Sequence, residues 1–453
     1  MSIRSVNPTT GDVFAEYPYM DSETIDQTLT RAWETYESWK QTDFDERTRL
    51  MHKAAHILRD RVEEYARLMV KEMGKPIEQA RGEVRKCAWA CEYFSDNARE
   101  FLQNEEMQSD GSRAFVRFDP LGPIFAVMPW NFPFWQVIRF AAPNLMAGNV
   151  GVLKHSHNVG GCAVALQELF EEAGFPEGAF QSIFLSNDMT DEVVGHTAIR
   201  GVTLTGSVGA GRAVAKLAGQ NLKPTVLELG GSDPFIVLDD CNLDYTVEQA
   251  VRGRLINNGQ SCIAAKRFIV EEGIYNDFVE KFRDALAGQT MGDPMDDATD
   301  LGPMARLDLR TTLHKQVQRS VDQGAKLVLG GEIPEREGFY YPATLVTECE
   351  YDMPVFDEET FGPVAAVTRV QDADEAIDVA NHSHFGLGAS VWTSTDRGVD
   401  LAARIEAGHV SVNGIVKSDP RLPFGGVKDS GYGRELSHHG IHEFVNKKTV
   451  WVK

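Results

Sequence analysis

Cysteine is scarce in this chain of 453 residues. There are six, Cys87, Cys91, Cys162, Cys241, Cys262 and Cys349. They are too few and too irregularly spaced for a disulfide framework, and they suit a reducing cytoplasm. Positive charge is also in deficit: 45 Lys and Arg face 67 Asp and Glu, a net of −22. A surface that acidic repels polyanions, which argues against nucleic acid and anionic membrane as partners. The opening MSIRSVNPTTGDVF carries no apolar run behind its first Arg, so no secretory leader is expected. Neither HExxH nor CxxC occurs, and His438, His439 and His442 read as polar surface, so no metal is expected. Long uncharged runs are rare too. The one from Leu121 to Ile138, LGPIFAVMPWNFPFWQVI, is long enough for a membrane span. Pro123, Pro129 and Pro133, with Asn131 and Gln136, would leave polar groups unsatisfied in lipid. It reads instead as a buried, irregular part of a large soluble core. Repeats, low-complexity tracts and long flexible linkers are absent.

What is present is length for two or three domains, at roughly 150 residues each. Apolar residues at three-to-four spacing mark helices from residue 22 to about 106: SETIDQTLTRAWETYESW behind a capping Asp21 or Ser22, RTRLMHKAAHILRDRVEEYARLMV, and PIEQARGEVRKCAWACEYFSDNAREFL. Beyond residue 113, short apolar runs alternate with helical patterns: IFAVM (124–128), VGVLK (150–154), GVTLTG (201–206), TVLEL (225–229), PFIVL (234–238) and RFIVEE (267–272). That texture predicts parallel strands covered on both faces, an α/β doubly wound architecture. The double glycine of LELGGSDPF predicts a change of domain near residue 230. SRAFVRFDPLG (112–122) and FVNKKTVWVK (444–453) read as strands without a partner in such a sheet, suited to joining a neighbouring subunit.

Several residues carry potential chemistry. Cys262, in INNGQSCIAAKR, follows a glycine-permitted turn and a Gln-Ser pair that a plain core strand would not contain. It is either a buried structural thiol or a nucleophile presented at the end of an element. Glu228 interrupts an otherwise apolar strand, so it is either paired structurally or kept as a general base. Asn131 lies between two prolines among aromatic residues, as a turn former or as a rigid amide donor for an oxyanion. Arg139 is the only charge between Asp119 and Lys154. A guanidinium there needs a carboxylate, internal or from a substrate. TLTGSVGAGRAVAKLAG (203–219) is a strand, turn and helix that can present N–H groups to phosphate, though it lacks a well-placed GxGxxG. Lys154 closes a strand at the end where such sheets bind ligands. Cys87 and Cys91, four apart on one helix, read as core neighbours.

Taken together, MPWNFP, TGSVGAG, LELGG, GQSC, EETFGPV and PFGGVKDSGYGRE resemble the aldehyde dehydrogenase superfamily in order and spacing, over nearly the whole chain. The resemblance implies a Rossmann-like NAD(P)-binding domain (1–106 and 121–229) and an α/β catalytic domain (230–435). A small oligomerisation β-arm (107–120 and 436–453) would serve a homodimer or homotetramer. It implies Cys262 as nucleophile, Glu228 as general base and Asn131 as oxyanion donor. It also implies cofactor contacts from Trp130, Lys154, His157, Gly206, Ser207, Leu229, Gly230, Glu359 and Phe361. A non-catalytic member of the family is the alternative from another class, and retention of both Cys262 and Glu228 argues against it. Glu228 likewise argues against acylating relatives, which generally lack that base.

Within the superfamily, MPWNFPFWQVIRFAAPNLMAGN and VLELGGSDPFIVLDD look most like the bacterial succinate-semialdehyde dehydrogenase branch. Arg139, eight residues after the oxyanion Asn, then matches a substrate-carboxylate anchor. Trp135, Ser261, Asp419 and Phe424 complete the expected substrate surroundings of a small aldehyde bearing a carboxylate. Some members carry a second arginine where this chain has Ile256, and a serine in a late loop where it has Ser418-Asp419. A broader range of aldehydes is the alternative. Ala264 replaces the second cysteine of redox-switched relatives, so no such switch is expected. His157 stands where NAD-specific relatives place a Glu that repels a 2′-phosphate, so both NAD and NADP are expected as cofactors.

Overall fold

The computed structural model describes residues 2–453. An antiparallel hairpin, Ser2–Val6 with Val13–Pro18, precedes four helices, Ser22–Trp39, Phe44–Asp60, Val62–Met73 and Ile77–Phe101. The first is amphipathic in the expected way. Ile25, Leu29, Ala32, Tyr36 and Trp39 recur every three or four residues and are all buried. Asp21 caps it, its Oδ1 accepting from the Thr24 N–H at 2.9 Å. The RTRL…LMV pattern divides at Arg61 into two helices, and the second of these stops at Gly74, whose φ of +79° only glycine adopts freely.

A six-stranded sheet follows. Its order is Gly431–Tyr432, Thr225–Glu228, Gly201–Thr205, Pro123–Met128, Val150–His155 and Phe180–Ser182, parallel except for the first strand. A seven-stranded sheet has the order Lys326–Leu329, Thr344–Thr347, Val364–Val370, Ala265–Glu271, Asp233–Val237, Gly388–Trp392 and His409–Val412, parallel except for its first strand. Its strands are apolar on both faces. Ile236, Ile269, Val346 and Val391 enter one core, while Phe235, Val237, Phe268, Val270 and Trp392 enter another. The period of two along a strand sorts them. The change from one sheet to the other falls between Glu228 and Asp233, at the double glycine.

Two expectations need correction, and a third holds. The strands at 112–122 and 444–453 have no partner in either large sheet, as expected, and pair instead with each other. Arg113–Pro120 pairs antiparallel with Val445–Val452 over its whole length and with Glu105–Met107 on its other side, forming a separate three-stranded sheet. The uncharged run 121–138 is buried but far from irregular: it supplies the strand Pro123–Met128 and the first turn of the helix Trp135–Ala147. Finally, the division at residue 435 does not follow the chain. Gly431–Tyr432 pairs with Thr225–Glu228 in the first sheet, and Leu436 and Ile441 join that sheet's core. The chain thus returns to its first half before the arm. No helix among the described residues is long and apolar enough to cross a membrane.

Candidate active site

The loop before Cys262 is shaped by backbone conformations that few residues tolerate. Asn257, Asn258 and Gly259 have φ of 56°, 57° and 72°, three consecutive left-handed residues. Asparagine accepts this region better than other side chains, and its amide can repay the strain with hydrogen bonds. Asn257 Nδ2 donates to the Asn131 and Gln260 carbonyls at 2.7 and 2.9 Å. Asn258 Nδ2 donates to the Gly74 and Pro303 carbonyls at 2.9 Å each, and its Oδ1 accepts from the Gly302 N–H at 2.9 Å. At Gly259 a Cβ would lie 2.4 Å from the Gly362 carbonyl, so the turn is closed to any side chain. Beyond the turn, the wholly buried Lys266 donates to the carbonyls of Ser261, Cys262 and Ala264 at 3.0, 2.8 and 3.2 Å. The nucleophile candidate is therefore held from both sides.

Asn131 comes from the other half of the molecule. Its Nδ2 donates to the Gln260 carbonyl at 3.1 Å, which leaves its second N–H uncommitted to that bond. Two buried groups fix its loop. Burial lowers the His155 pKa to about 4, so the ring is neutral. Its Nε2 lies 2.9 Å from the Pro133 carbonyl, and its Nδ1 lies 3.1 Å from both the Met128 carbonyl and the Ser156 N–H, so the ring ties the loop to the strand Pro123–Met128. Glu83 forms a buried ion pair with Lys75 and accepts the Phe134 and Trp135 N–H groups at 2.9 Å each, capping the helix that carries Arg139.

Cys262 lies on the wall of a cavity of about 670 Å³ between the two halves. Trp135, Arg139, Ser261 and Phe424 line it, as does Ile256, whereas Asp419 does not. The Asp419 carboxylate is turned to Arg421, accepting from its N–H and Nε at 2.9 Å and from its second guanidinium nitrogen at 2.7 Å. The expectation that Asp419 borders a substrate is thus not met, because a neighbouring guanidinium satisfies it locally. Ser418 faces the cavity instead. Burial pushes the Cys262 thiol up to about 12, opposed by the charges of Arg139 and Lys266. At neutral pH the sulfur is a thiol awaiting a base.

Glu228, at the end of its strand, is buried, and neither carboxylate oxygen has a hydrogen-bond partner. Burial, and then the neighbouring Glu435 carboxylate, hold its pKa well above the ordinary range. The charges of Arg139 and Arg434 oppose that rise, but neither pairs directly with Glu228, so burial favours its protonated form. Glu435 is raised by burial as well and is ion-paired with Arg139. Arg139 therefore meets the internal partner that the sequence reading left open, and donates also to Thr205 Oγ1 at 3.1 Å. Glu228 lines neither major cavity, and the close approach of Gly425, where a Cβ would stand 2.8 Å from Glu228 Oε1, leaves the carboxylate room that a larger residue would occupy.

A second cavity, of about 440 Å³, opens at the carboxyl ends of the first sheet and is lined by Trp130, Lys154, His157, Gly206, Ser207, Asn187 and Arg306. Ser207 caps the helix Val208–Gln220, accepting from the Ala210 N–H at 3.3 Å. A Cβ at Gly209 would meet nothing within 4 Å, so the first turn is open to close approach. Open N–H groups, an adjacent lysine and an uncharged or cationic His157 fit a dinucleotide's phosphates. Lys154 Nζ donates to Asn187 Oδ1 at 3.0 Å. Leu229, Gly230, Glu359 and Phe361 lie off this wall. Glu359 accepts from the Gly231 N–H at 3.0 Å, and Phe361 meets Trp130 edge-on at 5.7 Å. Sequence reasoning missed Lys266 and Glu435, and it used Asn257-Asn258 and Gln260 only as context. The Asn-Asn-Gly run was the available signal for left-handed backbone.

The aldehyde dehydrogenase family profile matches residues 1–450. A probable NADP(+) succinate-semialdehyde dehydrogenase of Synechocystis sp. is 48% identical over 453 residues, covering all of both chains. The succinate semialdehyde dehydrogenase [NAD(P)+] Sad of Escherichia coli is 47% identical over 448 residues, 99% of this chain and 97% of that one. Among solved structures, the Streptococcus pyogenes succinic semialdehyde dehydrogenase in complex with NADP+ superposes with a TM-score of 0.98 at 38% identity, covering 99% of both chains. With a cysteine on a braced loop between a dinucleotide-shaped cleft and a second cavity, and with this likeness running end to end, the chain belongs to the aldehyde dehydrogenase family.

Proposed function

We propose that the protein oxidises succinate semialdehyde to succinate with NAD or NADP. The observation that carries the chemistry is Cys262 on the cavity wall, with its loop tied to Asn131 from the opposite half of the molecule. The Cys262 thiol gives its proton to water in the cavity, the sulfur adds to the aldehyde carbon, and the oxyanion is held by the free Asn131 N–H and the Cys262 backbone N–H. The cofactor, when bound by Lys154, His157, Ser207 and Glu359, supplies the hydride acceptor. Loss of hydride leaves a thioester on Cys262. Water entering beside Glu228 solvates that carboxyl, lowers its pKa and lets it take a proton from the water that cleaves the thioester. Arg139 stays ion-paired with Glu435 throughout.

The names and full-length identity of the relatives support the substrate, and His157 supports use of either cofactor. Six free cysteines support a cytoplasmic setting. The three-stranded arm, with Trp451 and Val452 exposed on its edge strand, supports a homodimer or homotetramer. A broader range of aldehydes is the second reading, favoured by a cavity larger than a four-carbon substrate needs. Steady-state kinetics with succinate semialdehyde, glutarate semialdehyde, acetaldehyde and butyraldehyde, using NAD and NADP separately, test the assignment. Succinate semialdehyde is expected to have the highest kcat/KM, and equal values across the four would favour the broad reading. Cys262→Ala is expected to lose turnover with every aldehyde while still binding cofactor, and retained turnover would end the mechanism.

A further inference from the structure

The 670 Å³ cavity contains a cation that the catalytic chemistry does not use. Lys86, on the helix Ile77–Phe101, reaches the same wall as Trp135 and Ser418. Its Nζ donates to Ser418 Oγ at 2.8 Å and lies 4.1 Å from the centroid of the Trp135 ring. Trp135 Nε1 donates to the same Ser418 Oγ at 3.0 Å. A hydroxyl oxygen with both lone pairs engaged must point its own proton elsewhere. The group therefore offers one O–H and the remaining ammonium N–H donors. Among the described residues no carboxylate pairs with this ammonium. Glu83 is taken by Lys75 and by the N–H groups of Phe134 and Trp135, and Asp419 by Arg421. Of the other cations on the wall, Arg139 is paired with Glu435, while Arg252 and Lys417 stand exposed to solvent and are not desolvated. An unpaired cation beside a hydroxyl donor, desolvated by an indole face, is an anion receptor.

We infer that Lys86, with Ser418, receives the carboxylate of the aldehyde substrate, and that Arg139 does not. The inference rests on the succinate-semialdehyde reading and names the residues that produce its selectivity. Arg139 is instead a positioning residue for Glu228 and Glu435.

The test is the ratio of kcat/KM for succinate semialdehyde to that for butyraldehyde, its uncharged four-carbon counterpart. Losing a charge-assisted contact lowers that ratio by roughly 10- to 100-fold in Lys86→Met, and Lys86→Arg, which keeps the charge, recovers most of it. Ser418→Ala gives a milder fall of about 5-fold and serves if Lys86→Met does not fold. Arg139→Leu lowers turnover of both aldehydes together and leaves the ratio in place. A wild-type enzyme that prefers succinate semialdehyde, with Lys86→Met and Ser418→Ala ratios unchanged, overturns the inference and leaves the substrate reading intact. A wild-type ratio near one overturns both.

Discussion

Burial gives Lys86 a titration of its own. Desolvation, then the charge of Arg139, lowers its pKa to about 8. The groups that face it are Glu83 and Cys87 on its own helix, Arg139 on the next helix, and Asp419 on the late loop. The sign follows from the ammonium being the binding form: it is charged below pH about 8 and neutral above. The selectivity ratio for succinate semialdehyde over butyraldehyde should therefore fall as pH rises from about 7 to about 9.5. Both aldehydes use Cys262, so its titration cancels in the ratio, and kcat/KM reports the free enzyme. A flat ratio over that range would exclude Lys86 as the titrating group. This residue was not legible in the sequence, where a lysine in RKCAWACEYF reads as the solvated edge of a helix. Arg139 was legible because an uncharged run isolates it. Its partner was not: Glu435 lies almost three hundred residues away, and only the fold brings the two together.

At the scale of elements, the helices and strands could be read from periodicity because each buries a face whose spacing is local. The turn at 257–259 could not, since its stability depends on carbonyls at Gly74 and Pro303 that sequence distance hides. Asn258→Ala removes three buried hydrogen bonds and places a Cβ without a compensating amide in the left-handed region. A cost of about 3 kcal/mol is expected. The expected outcome is a lower thermal midpoint together with a reduced kcat for all aldehydes, because the same turn aims Cys262. Circular dichroism melts paired with kinetics measure both. A loss of selectivity alone would contradict this account. Asn258→Gly, which keeps the backbone conformation but not the amide, should recover only the conformational part.

For the whole molecule, the charge of −22 describes the outer surface, while recognition of anions is local, at Lys154, His157 and the helix after Ser207 in one cavity and at Lys86 in the other. The arm is a sheet of its own whose edge strand carries exposed Trp451 and Val452. Deleting residues 445–453 should shift the protein to a smaller species in sedimentation, and an unchanged mass would remove the arm from assembly. The topology also has a consequence for the order in which the enzyme is made. Gly431–Tyr432 pairs beside Glu228, and Glu435 lies against Arg139, so the first sheet and its carboxylate pair are completed only by residues 431–435, far downstream of Glu228 in the chain. A nascent chain that ends before residue 431 therefore holds Cys262 without the partners that enclose Glu228 and Arg139. The nucleophile is thus synthesised well before the surroundings of its base are complete.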